Sequence, residues 1–241
     1  MQGDLTSDTA LPSSGQSGRW EEHNSARQLL ILRAAVELIE RNEVGADIPV
    51  QQIARHAGLA KSVVYRQFSG REDLDRRIRS HIVAEFVATL DITLNIADGS
   101  LNEILRRTVT AVADWAIDHP ALHEFLRAGP TAEDDAVDAI SSLKTDIATK
   151  AMSIIGSIAA LLRVDVEPFM SLPLAVVTMV EGTLTHWVRD PAPERDRAEI
   201  VSDLATYAWF VIDGAARSVN LAVDPDAQLV DAIAALSAGV P

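Results

Sequence analysis

The chain has 241 residues, 48% hydrophobic and 23% charged, the balance of a folded protein with room for one large domain or two small ones. It contains no cysteine, which excludes disulfides and thiolate metal or redox chemistry. Its net charge of −14 is unevenly carried: residues 19–81 hold 11 Lys and Arg against 9 Asp and Glu, whereas residues 82–241 hold 10 against 24. Such segregation fits a nucleic-acid-binding head on a self-repelling body, but a net of +2 is equally that of an average surface, so charge alone decides nothing.

Residues 1–18 are rich in Ser, Gly, Thr and Asp, lack apolar periodicity and read as a disordered tail. They also lack the basic and apolar regions of a secretory signal. The apolar runs at 151–162 and 172–180 are shorter than the roughly 20 residues that span a bilayer. A cytoplasmic protein with no membrane partner is expected.

From residue 19 onward the chain reads as helical. Ile31, Ala35, Leu38 and Ile39 recur at helical spacing and the helix should stop near Asn42–Gly45. Val50–His56 forms a short helix, Gly58 suits a left-handed closing residue, and a second short helix runs from Lys61 to Phe68. Small Ala54 at the crossing, then Gly58, then apolar Val64 is the skeleton of a helix-turn-helix. Its second helix leaves Lys61, Ser62, Tyr65, Arg66 and Gln67 for the outer face, where they suit phosphates and base edges.

Three later starts pair a hydroxyl with an acid three residues on: Ser69-Gly-Arg-Glu72, Ser100-Leu-Asn-Glu103 and Thr131-Ala-Glu-Asp134. Asp196-Arg-Ala-Glu199 is a related start, and Ser171 with Pro173 marks another. The helix from Arg71 carries Leu74, Ile78, Ile82, Phe86, Leu90 and Leu94 on one face. Further helices are expected over 101–118, 120–127, 132–163, 172–189, 198–221 and 227–238. The acidic run Glu133-Asp134-Asp135 reads as helix-start capping, favoured by the dipole.

The helices on both sides of the motif sharpen the reading. Ile31, Ala34, Ala35 and Leu38, then Ile53-Ala54, Ala57-Gly58-Leu59, Val64-Tyr65 and Phe68, then Arg71-Glu72 and Leu74 form an ordered set over residues 28–82. With this set the chain resembles the tetracycline-repressor (TetR) family of transcriptional regulators. The resemblance implies an all-α fold: a helix-turn-helix head over 19–75, joined by a long helix to a ligand-binding and dimerisation body over 76–241. It places Tyr65 on the DNA backbone, Lys61, Ser62 and Arg66 at phosphates or bases, and Arg71 as a backbone clamp. Pro49, Ala60 and Val63 depart from the family pattern, each losing a hydroxyl; Val63 could instead meet a thymine methyl.

The implied partners are an operator duplex, a second copy of the chain and a small-molecule effector. Val177, Glu181, Leu184 and Val188, with Leu204, Ala208, Val211 and Ala215, form the stripes expected at the dimer interface. The effector site is expected among Trp115, Leu122, Phe125, Met152, Ile155, Phe169 and Met179, with Asp114, His119, His123 and His186 as polar candidates. His119 and His123 have metal-chelating spacing, yet Pro120 makes His119 a cap residue and no third ligand is evident, so no metal or cofactor is expected. Without a phosphate-binding glycine loop or a nucleophile elbow, an enzyme is not expected. The competing reading is a helical dimeric module that has lost DNA affinity.

Overall fold

The computed structural model describes residues 14–129 and 139–238. Among the described residues the chain forms ten α-helices, one 3-10 turn at Glu167–Phe169, and an isolated bridge between Ser100 and Gln228. The head comprises α1 (Ser14–Arg41), α2 (Val50–His56) and α3 (Lys61–Gln67). Helix α1 thus begins inside the segment expected to be tail. Its C-terminus is closed by Asn42, whose Nδ2 donates to the Leu38 carbonyl at 2.7 Å; left-handed Gly45 (φ 80°) then shapes the turn in which the Ala46 N–H meets the Glu43 carbonyl.

Helices α2 and α3 have seven residues each, too few to be stable alone, so tertiary burial holds them. Ile53, Ala54, Val64 and Phe68 are at most 4% exposed and pack on Ile31, Ala35 and Leu38 of α1. Gly58 takes the left-handed conformation (φ 67°) that turns α2 into α3. Neither Pro49 nor Ala60 makes a side-chain cap bond at these helix starts.

The body follows as α4 (Arg71–Thr93), α5 (Leu101–Asp118), α6 (Pro120–Arg127), α7 (Ala139–Leu162), α8 (Leu172–Arg189), α9 (Arg197–Ser218) and α10 (Leu229–Ala238). Capping boxes at Ser100–Glu103 and Asp196–Glu199 form as their spacing predicts. The expected box at Ser69–Glu72 does not. Gly70 is extended and is itself the cap residue, which brings the Ser69 N–H to Asp73 Oδ2 at 3.0 Å. That backbone bond is the main reason the Asp73 carboxyl is held below the usual range. The cap expected at Thr131 and the acidic run behind it lie outside the described residues.

Two hydrophobic clusters organise the packing. The first runs without interruption from α1–α3 through α4 and α6 to Ile140 and Leu143 of α7. The second joins α5, α8 and α9 through Val109, Ala113, Val180, Leu184, Ile200 and Leu204. Helix α7, and α8 taken with the preceding 3-10 turn, are long and apolar enough to cross a bilayer by length and composition. In the fold they pack on each other, with α4 and α10 against α7 and α5 and α9 against α8.

Candidate DNA interface and effector cavity

Helix α3 presents Lys61, Ser62, Tyr65 and Arg66 to solvent, while Val64 anchors its underside. Tyr65 is 49% exposed, and Lys61 Nζ lies 5.6 Å from its ring centroid. Val63 and Gln67 are half-buried at the margins of this face. Two cations, a phenol and a hydroxyl on one exposed helix match what a duplex backbone and its base edges require.

Arg71 is placed differently from its expected role. Its Nη1 donates to the Ile48 carbonyl at 2.6 Å, its Nη2 to Asp47 at 3.1 Å and its Nε to Asp75 at 2.8 Å. The guanidinium therefore fastens the start of α4 to the loop before α2, and two carboxylates take up its charge.

The body holds a part-open cavity of about 180 Å³ at the seam between the two clusters. Phe86 and Leu90 wall it from α4, Ile104 and Thr108 from α5, and Leu143 and Ile147 from α7. Helices α8 and α9 close it with Val176, Val180 and Ala208. Of the expected effector residues only Ile155 reaches this wall. Trp115 lies one layer behind it, its ring centroid 4.6 Å from that of Phe86. Leu122 and Phe125 pack in the head-side core. Phe169 is buried at the 3-10 turn, Met179 packs against the second cluster, Met152 is half-buried on α7 and His186 is exposed. Asp114 pairs with Arg197. Large rings fill space in a packed core, so the void is lined mainly by branched aliphatics.

At the cavity rim Glu181 collects three groups. It accepts from Thr185 Oγ1 at 3.0 Å and Arg127 Nη1 at 3.2 Å, and Lys144 Nζ stands 3.6 Å away. The Thr185 hydroxyl gives its proton to Glu181, so His123 Nε2 at 3.4 Å must be the donor to that oxygen. Burial, then the cations Arg127 and Arg189, push the His123 imidazole below its ordinary pKa and keep it neutral. His119 is the N-cap residue of α6, as Pro120 implied, and its Nδ1 binds Glu40 of α1 at 2.5 Å rather than joining His123. Helix α6 is also tied to α4: Arg79 Nε donates to the Phe125 carbonyl at 3.1 Å and its guanidinium lies over the ring at 4.7 Å. Short α6 therefore touches the cavity rim, the long helix α4 and the head. The spacing of Phe86, Leu90 and Leu94 marked an apolar face of α4 without telling a cavity wall from a packed core; the Glu181 cluster joins three helices and had no local signal.

The stripes expected at the dimer surface turn largely inward. Leu184, Leu204 and Ala208 are at most 2% exposed inside the protomer, and Val177 and Glu181 line the cavity. Val188 and Ala215 are half-buried. Only Val211, at 42%, is open to solvent. The exposed face of α8 carries Leu174, Thr178, Gly182 and His186, and that of α9 carries Tyr207, Phe210, Val211 and Gly214. Both helices are apolar on more than one side, so spacing alone did not select the outer stripe.

A helix-turn-helix head thus shares a core with a cavity-bearing helical body in a two-part, all-α architecture. Residues 31–78 match the family model described as bacterial regulatory proteins, tetR family. An uncharacterised HTH-type transcriptional regulator of Mycobacterium tuberculosis is 24% identical over 214 residues, covering 85% of each chain. The fold is similar to that of a tetR-family transcriptional regulator from Streptomyces coelicolor, with a TM-score of 0.60, 18% identity and 90% of each chain covered. It is also similar to RolR, solved in complex with resorcinol, with a TM-score of 0.55, 12% identity and coverage of 92% of this chain and 98% of that one. The family match covers the helix-turn-helix head, and over the whole chain the likeness to the solved structures is one of fold.

Proposed function

We propose that the chain is a ligand-responsive repressor that binds a palindromic operator as a homodimer and releases it when a hydrophobic small molecule fills the cavity. The observation that carries this reading is the continuous core that joins the α3 support to Phe86, Leu90 and Leu143 of the cavity wall. A ligand that parts the two clusters displaces α4 and α6, and the heads move with them. Half-sites one helical turn apart lie about 34–36 Å apart, so a change in head separation lowers affinity without altering any base contact. The differential affinity required is a coupling of roughly 1–3 kcal/mol. The resorcinol bound by RolR, a protein of similar fold, supports a small organic effector. The exposed faces of α8 and α9 supply the dimer surface, and Lys61, Ser62, Tyr65 and Arg66 the operator contacts. Repression of this kind takes place in the cytoplasm, where the duplex is.

Selection of bound duplexes from a random pool tests the reading. It should recover a palindrome whose binding weakens steeply with salt. Recovery of nothing that binds better than random DNA at low salt would sink it. The second reading, a dimeric module with weakened DNA affinity, draws on Pro49 and Ala60 without cap bonds and on Arg71 turned inward. Joint replacement of Lys61 and Arg66 by neutral residues separates the two: a regulatory effect that survives the change belongs to the second.

A further inference from the structure

The cavity wall is hydrocarbon apart from Thr108, Lys144 and Glu181. The two charged residues are paired with each other, and Glu181 also takes Arg127 and Thr185. Thr108 differs. Its Oγ1 is buried with no hydrogen-bond partner, whereas Thr89, Thr145 and Thr206 each donate to the carbonyl four residues back along their helices. A buried hydroxyl without a partner is costly, and this one belongs to a residue that a cavity ligand touches. Threonine in a helix has two accessible χ1 wells, so a rotation alone exchanges its methyl for its hydroxyl at the wall.

These features exclude most ligand chemistries. A charged molecule would lose its hydration and find no free counter-charge. A pure hydrocarbon would leave Thr108 unsatisfied. The volume, about 180 Å³, is a little above the roughly 150 Å³ of a dry cavity that admits benzene.

We propose that the cavity binds a neutral, mostly hydrocarbon molecule of about the bulk of a substituted benzene, held through a single hydroxyl or carbonyl by Thr108. This rests on the reading of the cavity as the effector site and names its ligand class. Thr108 is the specificity residue; the aliphatic wall supplies the affinity.

Calorimetric titration of the full chain with para-ethylphenol, para-ethyltoluene, para-ethylbenzoate and octanol tests the assignment. The wild type should bind para-ethylphenol about five- to tenfold more tightly than para-ethyltoluene, the worth of one net hydrogen bond. The anion para-ethylbenzoate should bind more weakly than either. Octanol tells whether the hydroxyl must sit on a ring. The isosteric variant Thr108→Val should bring the phenol and the hydrocarbon to the same affinity while melting no lower than wild type. Ala151→Phe, which fills the cavity, should abolish all binding. An unchanged phenol preference in Thr108→Val, a preference for the anion, binding that survives Ala151→Phe in a folded protein, or no binding of either neutral aromatic overturns the proposal. Operator release measured in parallel separates this from the effector reading. Thr108-dependent binding that leaves operator affinity unchanged sinks the effector reading alone, and release by an anion at the cavity sinks the ligand class alone.

Discussion

Arg66 and Arg71 stand five positions apart on adjoining helices, yet their environments assign them different work. Arg66 is exposed on α3 and has no acid beside it in the ion pairs of the described residues, so its charge is available to a phosphate. Arg71 meets Asp47, Asp75 and the Ile48 carbonyl and closes the head. Replacement should separate them. Arg66→Ala should weaken operator binding and lower the slope of log affinity against log salt by about one, with the melting temperature unchanged. Arg71→Ala should cost about 1–2 kcal/mol in a urea titration, a modest figure because the network is part-exposed. An Arg71→Ala protein of wild-type stability with a reduced salt slope would return Arg71 to the duplex.

Among the elements, α6 connects the cavity rim to the head. It has only eight residues, Pro120–Arg127, and its position depends on what it touches: Glu181 and Thr185 on α8, Arg79 on α4 and Glu40 on α1. The neutral His123 at its centre makes this joint sensitive to acid. The folded-state pKa is depressed, so below the ordinary histidine value the unfolded chain holds the extra proton and stability falls as pH falls. The loss should set in within the window that opens as pH falls below about 6.5, the ordinary histidine value, above the range where the lowered carboxyls of Glu37 and Asp73 take up protons. Melting temperatures across that window should drop for the wild type and much less for His123→Gln. Equal slopes for the two proteins would show that His123 does not govern the joint.

At the scale of the molecule, charge and apolar surface are sorted to opposite uses. The acid lies in the body, so the net charge of −14 opposes non-specific adhesion to DNA while the α3 face keeps its cations. Tyr207, Phe210 and Val211 are 48%, 61% and 42% exposed on one face of α9, beside the open stripe of α8. A contiguous apolar patch of this kind suits a second copy, because a two-fold axis lets each helix pair meet its own image. Phe210→Asp should therefore sediment as a monomer at concentrations where the wild type is a dimer, and should bind the operator far more weakly. A dimeric Phe210→Asp protein would move the interface elsewhere.

What could be read in the chain before folding, and what could not, divides along the range of the interactions. Helices at Leu101–Asp118, Pro120–Arg127 and Leu172–Arg189 have the bounds expected of them, because caps and prolines act within one turn. The left-handed Gly58 and the buried Ile31, Ala54, Val64 and Phe68 were likewise legible, since one period and one turn type fix them. The side of α8 and α9 that faces outward was not, because an apolar residue has the same signature in a core, a cavity wall and an interface. Nor was the void legible: it lies where five helices fail to meet, and the aromatic residues that draw attention in the sequence fill space around it. Arg71 shows the division in one side chain. Its place at the start of α4 follows from neighbours in sequence, but its task is set by Asp47, 24 residues away, which only the folded chain brings within hydrogen-bonding distance.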